Sequence, residues 1–161
     1  MVFVQSGNKN PIVKKLSELS ESSKTKELLD QNHKLKVIMD DVLKSFSNLF
    51  TEIIVCLILF GSHVKGTEIK TSDIDTLFIV REGKKSEYEK WSNKIHELCD
   101  KISSRHTKKI SPFILSTKDF KEGLTKKQTL VIEIYKNHAV LFGYEFYIRE
   151  VFDWLETKEL P

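Results

Sequence analysis

The sequence predicts an α/β (α+β) domain: a short mixed sheet of at least three strands backed by helices, with a helical N-terminal arm. Three observations carry that reading. Runs of β-branched and aromatic residues recur at 53–60, 73–80 and 110–115, and the segments around them repeat apolar residues at steps of three and four. Only 6 Gly and 3 Pro occur in 161 residues, which excludes collagen-like, low-complexity and linker-dominated architectures. With 161 residues and 40% hydrophobic residues the chain suffices for one compact domain with a sizeable core but not for two comfortable domains.

Taken in order, residues 2–14 read either as a small hairpin, Val2-Phe3-Val4-Gln5 and Pro11-Ile12-Val13-Lys14 around a turn-rich centre, or as a frayed end. From about Ser22 to Phe50 the chain turns helical, with Leu35, Ile38, Val42, Phe46 and Leu49 on one face and a break expected at Gln31-Asn32-His33. The unbroken run at 53–60, stopped by Gly61-Ser62, is a central strand buried on both faces. Asp73-Ile74-Asp75-Thr76-Leu77-Phe78-Ile79-Val80 is the next strand, and Tyr88, Trp91, Ile95, Leu98, Cys99 and Ile102 follow at helical spacing. Pro112 cannot donate to a ladder, so residues 110–115 form an edge strand. Thr125-Lys126-Lys127-Gln128 has capping-box spacing and is expected to open a helix through Leu130, Val131, Ile134 and Tyr135. A short segment, 139–142, ends at Gly143 as a helix cap or turn, and the last helix carries Tyr147, Val151, Trp154 and Leu155 on one face.

Composition narrows the function. Lys+Arg number 26 against 23 Asp+Glu, a net charge of +3, which excludes histone-like and polybasic classes. That small sum hides a basic stretch, 84–109, with eight basic and four acidic side chains, and an acidic one, 145–160, with two basic and five acidic. Both read first as solvated helix faces, and secondarily as partner surfaces. Cys56 and Cys99 form neither a disulfide framework nor a metal-ligand spacing, so a reducing cytoplasm is expected. The start lacks a signal-peptide pattern and the run at 53–60 is too short to span a bilayer, so no membrane association is expected.

The chemistry concentrates in Leu59-Phe60-Gly61-Ser62-His63-Val64-Lys65-Gly66 and the Ser72-Asp73-Ile74-Asp75 that follows. A buried strand that ends at Gly-Ser and turns into a short helix aims backbone N–H groups and a hydroxyl past the strand end, where an anion or phosphate can sit. Strand alternation puts Asp73 and Asp75 on one face and Ile74 on the other. Two carboxylates in one small volume repel each other unless a cation lies between them, and hard oxygen ligands beside a phosphate cradle suit magnesium. Lys65 reads either as a phosphate contact or as an ordinary exposed lysine, His63 is expected in solvent, and Trp91 and Trp154 are expected in the core.

Gly61-Ser62, ten residues, then Asp73-x-Asp75, with Gly66 and Ser72 between, resembles the signature of the DNA polymerase beta-like nucleotidyltransferase superfamily, in its minimal nucleotidyltransferase branch. The likeness covers about residues 53–143, and Ile110-Ser111-Pro112-Phe113-Ile114-Leu115-Ser116 and Ala139-Val140-Leu141-Phe142-Gly143-Tyr144-Glu145 are similar to archaeal members. It implies a nucleotidyltransferase domain at 51–161 and an N-terminal arm at 1–50. It implies nucleotide binding by Gly61, Ser62, Lys65 and Ser72, with Asp73 and Asp75 as catalytic residues and Mg2+ ligands. The implied activity is transfer of a nucleoside monophosphate from a triphosphate, ATP above others, to a hydroxyl acceptor. The alternative it implies is a catalytically weak antitoxin or regulatory subunit that binds a small helical, HEPN-type partner, and self-association stays open.

One departure from the family stands out. Active members usually carry a third carboxylate on a later strand, and the corresponding position here falls near Ser111, with no Asp or Glu from 102 to 117. Asp119, read as a loop residue, and Glu133, read as helical, are the nearest later acids. In archaeal relatives a winged-helix unit often precedes the domain, and residues 2–14 resemble the last hairpin of such a wing. No full helix-turn-helix is present, so sequence-specific DNA binding is not predicted.

Overall fold

The computed structural model describes residues 10–159. Four strands, β1 (Ile54–Phe60), β2 (Ile74–Val80), β3 (Ile110–Ser116) and β4 (His138–Phe142), form one sheet in the order β3-β2-β1-β4. The pairs β1–β2 and β1–β4 are antiparallel and β2–β3 is parallel, so the sheet is mixed. Around it lie α1 (Pro11–Gln31), α2 (His33–Ser45), the single turn α3 (Ser62–Lys65), α4 (Lys85–His106), α5 (Thr117–Thr125), α6 (Thr129–Lys136) and α7 (Tyr144–Glu159). Pro112 lies, as expected, on an edge strand.

Alternation along β1 and β2 feeds two cores. Leu57, Leu59, Ile74, Phe78 and Val80 pack on one face with Ile38, Met39, Val42 and Phe46 of the α2 segment and Ile95, Cys99 and Ile102 of α4. Cys56, Ile58, Phe60, Leu77 and Ile79 pack on the other with Phe120, Leu124, Val131, Ile134, Tyr147, Val151 and Trp154. Both cores consist of residues removed from water, the dominant favourable term in folding, and the sheet they clamp is the platform for the site.

The structure corrects two local readings and gives the short segment before Gly143 its type. Pro11–Lys14 is the first turn of α1, not a strand: the Asn10 side chain accepts from Ile12 N and Pro occupies the position whose N–H has no helical partner. Val2–Gln5, the other half of the expected hairpin, lies outside the described residues. Thr125 ends α5 rather than opening α6, because its hydroxyl bonds back to Lys121 O and Lys127 takes φ 53° in the turn between the helices. Residues 138–142 are a strand. The expected break at Gln31–His33 is present, with Asn32 capping α2 through its side chain to Leu35 N.

Helix α1 is tied into the domain by polar contacts as well as apolar ones. Thr25 donates to Val140 O of β4 at 2.9 Å, and Glu21 Oε2 meets His138 Nε2 at 3.0 Å, with Tyr147 Oη 3.2 Å from the other ring nitrogen. Burial pushes the Glu21 carboxyl up, but the His138 hydrogen bond and the charges of His138 and Lys24 together hold it below its ordinary 4.5. A depressed carboxyl stabilises the fold above its unfolded pKa, and that stability is lost as pH falls through the folded value. Hydrogen exchange of α1 amides is therefore expected to accelerate below about pH 4.5 before the sheet opens, and Glu21→Gln to weaken that pH dependence. Equal acid sensitivity of α1 in Glu21→Gln would count against the contact.

Candidate functional site

β1 is buried almost throughout and ends at Phe60 against the start of β2, where Phe60 pairs with Asp75. The chain turns there at Gly61, with φ 75° and ψ −151°, a conformation essentially reserved for glycine. A Cβ at Gly61 would overlap Asp75 Oδ2 and lie 3.2 Å from its Cγ, so glycine is also what lets the turn close onto the carboxylate. One turn of helix follows, and Gly66 in the left-handed region ends it.

The chain then returns through a short loop. Ser72 N donates to Ile69 O and Ser72 Oγ accepts from Ile69 N, both at 2.9 Å, which closes the loop before Asp73. Ile74 N donates to Lys109 O at 2.8 Å and starts the parallel register that sets Ser111 beside Asp75. Asp73, Asp75, Lys109 and Ser111 thus share one face at one end of the sheet. Ser111 Oγ donates to Asp73 Oδ2 at 2.9 Å, and Lys109 Nζ lies 3.1 Å from the same oxygen.

The two carboxyls are pulled in opposite directions. The Ser111 hydrogen bond, then that of Lys109, holds Asp73 below its ordinary value. Burial, then the charge of Asp73, raises Asp75, and His63 and Lys109 offset this only in part. A pair whose second member resists ionisation is what two carboxylates without a cation between them should show. Two oxygen donors at the end of one strand fit a hard divalent cation of the magnesium type, which binds through one or two carboxylates and fills the rest of its shell from substrate and water. No group of three or more His, Cys, Asp or Glu suited to a metal occurs among the described residues, so the shell would need those outside oxygens.

The structure brings Gly61, Ser62, Asp73 and Asp75 to one place and engages the other two predicted residues elsewhere. Lys65 Nζ pairs with Glu133 Oε2 of α6 at 3.2 Å, and the Ser72 hydroxyl is held by its own loop. His63, expected in solvent, is buried beside a cavity of about 260 Å³ that Leu35, Ile38 and Ile74 also line. That burial, and then the charge of Lys108, push its pKa down. Asp119 sits in the first turn of α5, its N–H bonded to Ser116 Oγ, rather than in a loop. Lys109 lies one residue before β3, outside the strand that the sequence predicts, and reaches Asp73 from there.

A family model described as "Nucleotidyltransferase domain" matches residues 39–150. A putative protein adenylyltransferase of Methanocaldococcus jannaschii is 24% identical over 108 residues, covering 67% of this chain and 71% of that protein. Among solved structures, a toxin–antitoxin crystallised with AMP-PNP has a TM-score of 0.46 at 14% identity, covering 74% of this chain and 87% of the other. A toxin–antitoxin MntA-HpeT mutant has a TM-score of 0.43 at 15% identity, with 74% and 90% covered. The family model spans well over half of the sequence, and with it the strand ends that carry Gly61, Asp73 and Asp75: the chain belongs to the nucleotidyltransferase domain family.

Proposed function

We propose that this protein binds a nucleoside triphosphate, ATP above others, together with Mg2+, and transfers the nucleoside monophosphate to a hydroxyl acceptor. The observation that carries the reading is the packing of Asp75, the inner member of the Asp73/Asp75 pair, against Gly61 of the Gly61-Ser62 turn at the end of a doubly buried strand. The N–H groups of Ser62 and His63 precede the first intrahelical bonds and are available to phosphate oxygens beside the Ser62 hydroxyl. Asp73 and Asp75 would hold the cation, which neutralises phosphate charge as it develops.

In the transfer itself the acceptor oxygen forms its bond to the α-phosphorus while the bond from that phosphorus to the bridging oxygen breaks. Pyrophosphate leaves with the electron pair and the hydroxyl proton passes to water. Residues 51–161 carry the chemistry in this reading, and the arm at 1–50 braces it through Glu21 and Thr25. Both cysteines are free and buried, which suits a reducing cytoplasm.

One observation favours a second reading, a weakly active or inactive subunit that binds a small helical, HEPN-type partner. Ser111 stands beside Asp75 where the resemblance calls for a third carboxylate, and a neutral hydroxyl cannot act as a base near neutral pH. Radiolabelled ATP with Mg2+, offered with and without co-purified proteins, separates the two. Label transfer that depends on Asp73 and Asp75 supports the enzyme, and stable capture of a partner without transfer supports the subunit. If the Asp73→Asn/Asp75→Asn protein binds Mg-ATP as tightly as wild type and neither transfers label, the first reading fails.

A further inference from the structure

We infer that Lys109 is a built-in counter-ion of the aspartate pair and that the site therefore takes one divalent cation rather than two. The inference rests on the nucleotide-and-cation reading of the site and adds a statement about its stoichiometry. Asp73 Oδ2 receives two donors at once, the Ser111 hydroxyl at 2.9 Å and the Lys109 ammonium at 3.1 Å. The hydroxyl fills one lone-pair site of that oxygen and the ammonium stands against it, so Asp73 presents chiefly its Oδ1 to a cation. Neither donor is placed by chance: Lys109 immediately precedes β3 and Ser111 is the second residue of that strand, and both are held beside Asp73 and Asp75 by the Ile74 N to Lys109 O bond and the Asp75–Ser111 pairing.

Charge leads to the same result. Asp73 and Asp75 supply two negative charges and Lys109 returns one positive, leaving a single net negative charge on the face. A carboxylate at position 111 would add a negative charge and a bidentate donor, but a serine adds neither. One divalent cation reverses the charge of the protein's own groups, and a second would find no further carboxylate on this face and an ammonium within reach, so it would rest on the triphosphate alone. The Lys109 side chain is 71% exposed, so its pairing with Asp73 is worth little to stability and its removal should leave the fold intact.

The test counts bound metal rather than turnover. Mn2+ is titrated by electron paramagnetic resonance into wild type, Lys109→Met and Lys109→Met/Ser111→Asp, each saturated with α,β-methylene-ATP, which cannot release pyrophosphate. Wild type is expected to saturate at one Mn2+ per chain and the double variant at two. Lys109→Met is expected to bind its Mn2+ about tenfold more tightly than wild type without nucleotide, since a positive charge close to the ion is gone. Two Mn2+ on wild type overturns the inference while leaving the transfer reading standing, and so does a double variant that folds and still binds one. Absence of both Mn2+ and nucleotide binding by wild type overturns the two together. The wild-type count stands whether or not a variant folds.

Discussion

Asp75→Asn is expected to lower nucleotidyl transfer by about a thousandfold or more while leaving the chain folded and, at neutral pH, slightly more stable. The functional loss follows from what the amide removes. Asp75 pairs with Phe60 at the end of β1 and its carboxylate lies against Gly61, so an amide there puts a neutral group against the turn. A thousandfold corresponds to roughly 4 kcal/mol of transition-state stabilisation, the scale of losing a charge preorganised where phosphate charge develops. The stability gain follows from the opposite side of the same geometry. Burial, then the charge of Asp73, raises the folded-state pKa of Asp75 above its unfolded 3.8, so the ionised side chain disfavours the fold at neutral pH. That penalty fades as pH falls through the raised value. The advantage of asparagine should therefore be present at pH 7 and vanish in acid, seen as a difference in Tm between the two proteins that closes on acidification. Asp73→Asn should differ, because Asp73 is stabilised as the anion by Ser111 and Lys109 and gains nothing from neutralisation. Transfer by Asp75→Asn within tenfold of wild type would contradict the role given to this carboxylate.

The opposed behaviour of these neighbours marks where the sequence was legible and where it was not. The strand ends and the shared face of Asp73 and Asp75 follow from alternation and from a glycine that stops an apolar run, both properties of adjacent residues. What Asp73 touches depends on the register of β3, which is set across 35 positions of chain by packing of α4, and no local pattern encodes it. Lys109 was invisible for that reason, although its position relative to Ser111 was not. A polar residue in a one-turn helix usually faces water, and on that ground alone His63 belongs in solvent. The turn that Gly61 and Gly66 bracket instead tucks it beside Leu35 and Ile38. Near the N-terminus two signals compete: the apolar residues Ile12 and Val13 fit a strand, but Asn10-Pro11 is a helix start, a side-chain cap followed by a residue with no N–H to lose, and the helix prevails. The helix cap or turn expected at Gly143 is there, but the strand before it is five residues long, too short for periodicity to separate from a loop.

Gly143→Ala is expected to destabilise the protein by about 4 kcal/mol or more, enough to deplete the folded state of a domain this size. Gly143 joins β4 to α7 with φ 82°, and its carbonyl accepts from Tyr147 N in the first turn of that helix. The joint crosses directly over β1: a Cβ there would overlap Val55 O and lie 2.8 Å from Cys56 Cα. Those atoms are main chain, beside a register shift between Leu57 and Ile58, and cannot rotate away as a side chain would. Relief requires moving β1 relative to β4, and β1 also carries the strand end on which Gly61 turns. Gly66→Ala provides the control, since Gly66 has nearly the same backbone angle, φ 70°, but open space where its Cβ would go. It should lose only the conformational term, about 1 kcal/mol. Urea unfolding of the two variants separates steric overlap from backbone preference: a large fall in the midpoint for Gly143→Ala with a small one for Gly66→Ala is expected. Equal losses would mean that the left-handed conformation alone, and not the contact with β1, fixes glycine at 143.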